Sequence, residues 1–226
     1  MNQLRTARVK AGLTQDEAAA RLDLSQPYLS QLERGQRRVT ERVARAAARL
    51  YELPPTALSL PARPLRKTDV RRLPRELAAL SYPGYEHLRP APPANPALVL
   101  LEALSENDLD ARVTEALPWV LVRYSELDWD WLLTHAKLRN LQNRLGFLVS
   151  VARELSERHP DRFGAAPRLR KAERELEQAR LAAETTLGRD SMPPAERAWL
   201  RANRPPGAER WNVLTSMTAD QLPYAA

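Results

Sequence analysis

Cysteine is absent from the 226 residues, which excludes disulfide staples and thiolate metal sites. A reducing, intracellular setting is the simplest fit to that absence. Glycine is scarce, with seven in the chain, and no G-x-x-x-x-G-K run exists to cradle a phosphate. No apolar run approaches the roughly 20 residues that span a bilayer. The opening stretch MNQLRTARVK lacks the apolar core of a signal peptide, so a cytoplasmic location and no membrane partner are expected. No strand signal of any length appears. Lysine is nearly missing among the basic residues, an arginine bias that a GC-rich genome explains.

What is present is helical periodicity and unevenly placed charge. Hydrophobic residues make up 43% of the chain, enough for a packed core. Residues 1–90 hold 17 Lys+Arg against 9 Asp+Glu, whereas residues 91–226 hold 18 against 19. The whole excess of the +7 net charge therefore lies in the N-terminal part, where it favours a polyanionic partner.

Four helices are predicted before residue 52. The first runs from Asn2 to Lys10, with Leu4, Ala7 and Val9 as its apolar side and Gly12 as its terminator. Thr14 caps the second, with Glu17 as capping-box partner, and it reaches Leu22. Ser25 caps the third, which Gly35 closes. Thr40 caps the fourth, which ends near Tyr51. Residues 61–95 are rich in Pro and Arg and read as a semi-rigid connector with one modest helix over Leu73–Leu80. Its motif YPGYEHL is aromatic enough to dock on a domain.

From Pro96 the helical pattern resumes. Segments over 96–105 and 109–124 follow, the second kinked or divided at Pro118. Asp128 then caps one long helix to Arg158, with Leu132, Leu138, Leu141, Leu145, Leu148, Val149, Ala152 and Leu155 along its apolar side. Another helix spans 168–187 and a short one 195–202. The fold class expected is all-α, with a DNA-binding domain over 1–60, the connector over 61–95, and a partner-binding or dimerisation domain over 96–226.

The segment LTQDEAAARLDLSQPYLSQLERG resembles the XRE/Cro-repressor-like helix-turn-helix family, the lambda-repressor-like fold. The likeness rests on Thr14-Gln15 opening a helix, Ala18 at a tight helix contact and Leu22 in the core. It continues through Leu29 and Leu32 on the buried side of the next helix and Glu33-Arg34-Gly35 at its end. Two helices crossing steeply need small residues where they touch, and Ala18 and Ala19 supply them. Asp23 stands where the family usually has glycine; Asp tolerates the left-handed conformation.

The resemblance implies double-stranded DNA as partner, with the third helix entering the major groove. Carried across, Gln26, Pro27, Tyr28, Ser30 and Gln31 occupy exposed, groove-facing positions. Gln26 and Gln31 have the chemistry to pair with adenine, and Pro27 offers only apolar contact. Gln15 clamps a phosphate at a helix N-terminus, and Arg34, Arg37 and Arg38 meet the backbone. A merely solvated basic turn is the plainer reading of those arginines. Repressors of this kind usually read two half-sites, so a homodimer on a palindromic operator is expected. Leu169, Ala172, Leu176, Ala179 and Ala183 form either a dimer seam or ordinary packing within the domain.

Nothing after residue 96 reads as catalytic, so an enzyme is not expected. His87, His135 and His159 are scattered, with no metal-ligand spacing, so neither metal nor cofactor is expected. His135, near Trp131, reads as a structural histidine. Five tryptophans lie after residue 118. Trp129 and Trp131, two apart on one helix, cannot share a narrow core face, so one is a candidate for partner contact. The blocks Ala116–Glu157 and Glu196–Ala225 resemble uncharacterised regulators encoded beside nucleotidyltransferase-type toxins. That resemblance implies an autoregulating repressor and antitoxin whose C-terminal domain binds its toxin. The alternative is a conventional regulator whose C-terminal domain dimerises or senses a small ligand.

Overall fold

The computed structural model describes residues 3–62 and 70–224. Asn2, the expected start of the first helix, and residues 63–69 of the expected connector lie outside the described residues. The chain divides into two compact units, Met1–Pro61 and Ala62–Ala226. Among the described residues its regular structure is helical except for two short strands, an all-α architecture as expected.

Unit 1 contains α1 (Gln3–Lys10), α2 (Gln15–Arg21), α3 (Gln26–Glu33) and α4 (Glu41–Leu50). Each stops for a local reason. Gly12, Asp23, Gly35 and Glu52 all take positive φ just past a helix end. The two amides following each C-cap bond back into the last turn, as in Asp23 N to Ala20 O and Leu24 N to Ala19 O. These are Schellman closures, which satisfy carbonyls that would otherwise be orphaned. Asp23 does adopt the left-handed conformation, at φ 55°.

Thr14 forms the expected capping box with Glu17, and Thr40 accepts from the Val43 amide. Ser25 does not cap α3 through its side chain. Pro27, two residues on, has no N–H, which removes one of the two amides such a cap uses.

The core of unit 1 gathers Leu4, Ala7, Ala18, Ala19, Leu22, Leu29, Leu32, Val43, Ala47 and Tyr51. Val9, expected on the apolar side of α1, is 60% exposed. The inward position next to Ala7 is Arg8, a charged residue that periodicity in apolar residues cannot register.

In unit 2, α5 (Leu73–Ala79), α6 (Pro96–Ser105), α7 (Ala111–Arg123) and α8 (Trp129–Leu138) precede the central α9 (Gln142–Arg158). After it come α10 (Pro160–Phe163), α11 (Ala166–Glu177), α12 (Pro194–Asn203) and α13 (Pro206–Arg210). Every residue from 141 to 152 is buried, because α9 is packed by α7 and α11 and by the C-terminal elements. Gly146 is required there: a methyl at that position would run into the ring of buried Trp211.

Residues 70–95, read as connector, are instead packed within unit 2. Leu73, Leu77, Leu80, Tyr82 and Tyr85 are buried. The YPGY motif docks by edge-on ring contacts, Tyr82 lying 5.4 Å from Trp119 and 6.1 Å from Tyr224.

Other expectations are corrected. The long helix from Asp128 to Arg158 is two, divided at Asn140, which takes φ 57° in another Schellman closure. The break re-phases the apolar stripe, and Leu138 is 69% exposed while its expected companions are buried. Of the two alternatives at Pro118, division is not what occurs: α7 runs from Ala111 to Arg123 with the proline inside it.

The helix predicted to reach 187 ends at Glu177. Buried Asn143 takes the backbone of Leu181 on both sides, accepting from its amide at 2.8 Å and donating to its carbonyl at 2.9 Å. The chain, peeled away from helix, then forms β1 (Thr185–Thr186), parallel to β2 (Val213–Leu214). Of the possible seam, Leu169, Ala172 and Leu176 are buried within the unit, α11 lying along α9, while Ala179 and Ala183 lie beyond the helix.

Candidate nucleic-acid interface

The helix pair α2–α3 is held from beneath by one buried carboxylate. Glu33, at the end of α3, is 4% exposed and receives the Arg8 guanidinium in a two-point pair, at 2.6 and 3.1 Å. Arg8 also donates to the Leu13 carbonyl at 2.7 Å, tying down the α1–α2 turn. Burial pushes the Glu33 carboxyl up, but hydrogen bonds from Arg8 and Gln15 and the charges of Arg8 and Arg5 outweigh it. The group is held below its ordinary range and stays ionised. The hydrogen bond to Glu33 likewise raises Arg8.

From Glu33 the network runs outward to the surface. Gln15 donates to Glu33 at 2.8 Å, and Gln26 donates to the Gln15 carbonyl at 2.7 Å. The first residues of α2 and α3 are thus cross-linked through their amides. Gln26 retains its own carbonyl and a second N–H for another partner. Its side chain is thereby set before any ligand arrives, which lowers the entropy lost on binding.

Gln15, Gln26 and Gln31 are half-exposed, and Pro27, Arg34, Arg37 and Arg38 are exposed. Tyr28 packs part of its ring on the core and stacks under Arg37, whose guanidinium carbon lies 5.5 Å from the ring centre. Ser30 departs from expectation, since it is buried to 8% exposure. Helical spacing places it between Gln26 and Glu33 on the stripe turned toward α2, not on the outer face. Leu29 and Leu32 are fully buried, as expected.

Arg8 and Glu33 went unread in the sequence as a supporting pair. They lie 25 residues apart, so no local spacing marks them. Residues 1–61 carry 10 Lys+Arg against 6 Asp+Glu, and Arg8 is neutralised internally. Arg34, Arg37 and Arg38, which follow α3, have no ion pair among the described residues and form a basic edge there, with Arg37 over Tyr28 of α3.

Residues 2–60 match the family model described as a helix-turn-helix domain. No curated protein and no solved structure matches the chain. The match and the fold together identify the N-terminal unit as a helix-turn-helix domain, a DNA-binding fold.

In unit 2, Trp129 and Trp131 are both half-buried on α8. Trp129 donates its ring N–H to the Ser125 carbonyl at 3.0 Å, and Trp131 packs on His135 at 4.4 Å between ring centres. His135 is itself buried. The tryptophan that faces solvent is Trp199, on α12, at 57% exposure. Sequence reasoning passed over it because its helix is amphipathic and an outward position cannot be told from an inward one without knowing what α12 packs on. No group of His, Asp or Glu able to hold a metal occurs among the described residues. No described helix is long and apolar enough to cross a membrane.

Proposed function

We propose that this protein is a sequence-specific transcriptional repressor that reads double-stranded DNA as a homodimer through α3. The observation that carries this reading is the Arg8–Glu33–Gln15–Gln26 network, which delivers two fixed amides to the start of α2 and α3. On this reading Gln26 and Gln31 hydrogen-bond base edges, with adenine the best match to an amide. Pro27 and Tyr28 make apolar contact, while Gln15, Arg34, Arg37 and Arg38 take phosphates. Ser30 is left with a supporting role beneath the network.

Selection of bound duplexes from a random pool by the full chain tests this. Enrichment of an inverted repeat with half-sites about one helical turn apart is expected. Binding with no enriched sequence would reduce the domain to an electrostatic anchor.

For unit 2 we infer an antitoxin role, in which it binds a toxin encoded in the same operon. The support is the likeness of its Trp-rich blocks to antitoxin-type regulators, together with the exposed ring of Trp199. Purification from the native host tests it: a stoichiometric product of the neighbouring gene is expected, and its absence would sink the role. A second reading, ligand sensing by a conventional regulator, is favoured by one observation, a pocket of about 250 Å3 within unit 2.

A further inference from the structure

The pocket in unit 2 has an apolar floor, supplied by Leu187, Met192, Leu200, Leu214 and Leu222, all buried. The exposed ring of Trp199 stands in its wall. At about 250 Å3 it is larger than the roughly 150 Å3 that holds benzene and smaller than the usual drug-sized site. Its volume suits one aromatic ring with a short substituent.

The charge of the wall selects the substituent. Arg189 is the pocket's cation, but Glu196 holds both arms of its guanidinium, at 2.7 and 3.2 Å. Glu115 also lines the pocket. Its backbone carbonyl accepts from the Tyr224 hydroxyl at 2.6 Å, while its carboxylate has no hydrogen bond or ion pair among the described residues. Arg112, one turn earlier on α7, does not line the pocket. The lining therefore holds one carboxylate, Glu115, without an ion pair among the described residues, and one exposed indole, Trp199, two features that each attract a cation.

We infer that this pocket binds a small aromatic or lipophilic ammonium ion, its apolar part on the leucine and methionine floor and its cationic centre between Trp199 and Glu115. The inference deepens the ligand-sensing reading of unit 2 and is independent of how unit 1 binds DNA.

The test is calorimetric titration of the full chain with benzyltrimethylammonium and, in parallel, with 3-phenylpropanoate, an anion of similar bulk. Saturable 1:1 binding of the cation, about tenfold tighter than the anion, is expected. Glu115→Gln should weaken the cation about threefold to tenfold and leave the anion unweakened. Trp199→Leu, which keeps the wall apolar, should weaken it about threefold or more. Unchanged thermal unfolding of both variants would show that each remains folded. Failure of the cation to bind, equal affinity for the anion, or indifference to both substitutions would overturn the inference. Binding that leaves the selected operator's affinity unchanged would support the site while removing the sensing role.

Discussion

At the scale of single residues, Glu33 receives Arg8 from α1 and Gln15 from α2 in a site almost closed to water. Replacing it with Gln leaves Arg8 buried without its counter-charge, and a loss of about 3–5 kcal/mol is expected in denaturant unfolding of unit 1. Because the folded carboxyl sits below its ordinary range, its contribution is present above about pH 4 and is lost as pH falls through the folded value. Glu33→Gln should flatten that acid limb; an unchanged limb would mean that other carboxylates govern it. On the outer surface, Gln31→Ala is expected to cost roughly 1–3 kcal/mol of operator binding and to relax base preference at one position. Gel-shift titration against operator variants reads both, and unchanged preference would remove Gln31 from base reading.

At the scale of elements, α9 carries unit 2. Gly146→Ala forces a methyl against Trp211, and overpacking of about 1–3 kcal/mol is expected. An unshifted melting temperature would show that the contact is slack.

Helix α6 carries a pH dependence of the opposite sign to that of Glu33. Burial, and then the neighbouring charge of Glu76, push the Glu102 carboxyl up to about 7, against the opposing charges of Arg72 and Arg139. The folded state therefore holds a proton that the unfolded chain releases near pH 4, and stability from this group falls as pH rises from there to about 7. Glu102→Gln should raise the melting temperature at pH 8 and have little effect at pH 4. Equal effects at both would mean that the shift is absent.

At the scale of the whole molecule, the two units have separate cores and separate chemistry. A chain starting at residue 62 is expected to lose DNA binding and to keep cooperative unfolding by circular dichroism. A molten remainder would mean that unit 2 needs unit 1 to fold. With the positive excess concentrated in the N-terminal part, operator affinity should fall steeply with salt, whereas cation binding to unit 2 should depend on salt far less.

Local pattern was enough to determine the helices of unit 1, their stop positions at Gly12, Asp23 and Gly35, and the burial of Leu29 and Leu32. Each of these is set within a turn or two of chain, by side-chain caps, left-handed residues and 3.6-residue periodicity. The positions of Gln15, Gln26, Gln31 and the loop arginines were legible for the same reason. Tertiary structure alone decided the rest. Arg8 is buried where it pairs with Glu33, and Ser30 is buried on the stripe of α3 whose Gln26 and Glu33 bond Gln15 of α2. The helix after Ala166 ends early because Asn143, nearly forty residues upstream, takes its backbone. The pocket joins α7, α12 and the residues around β2, segments up to about a hundred residues apart. Interactions of that span leave no period in a sequence, so the supporting pair beneath α3 and the pocket of unit 2 emerge only when the chain is folded.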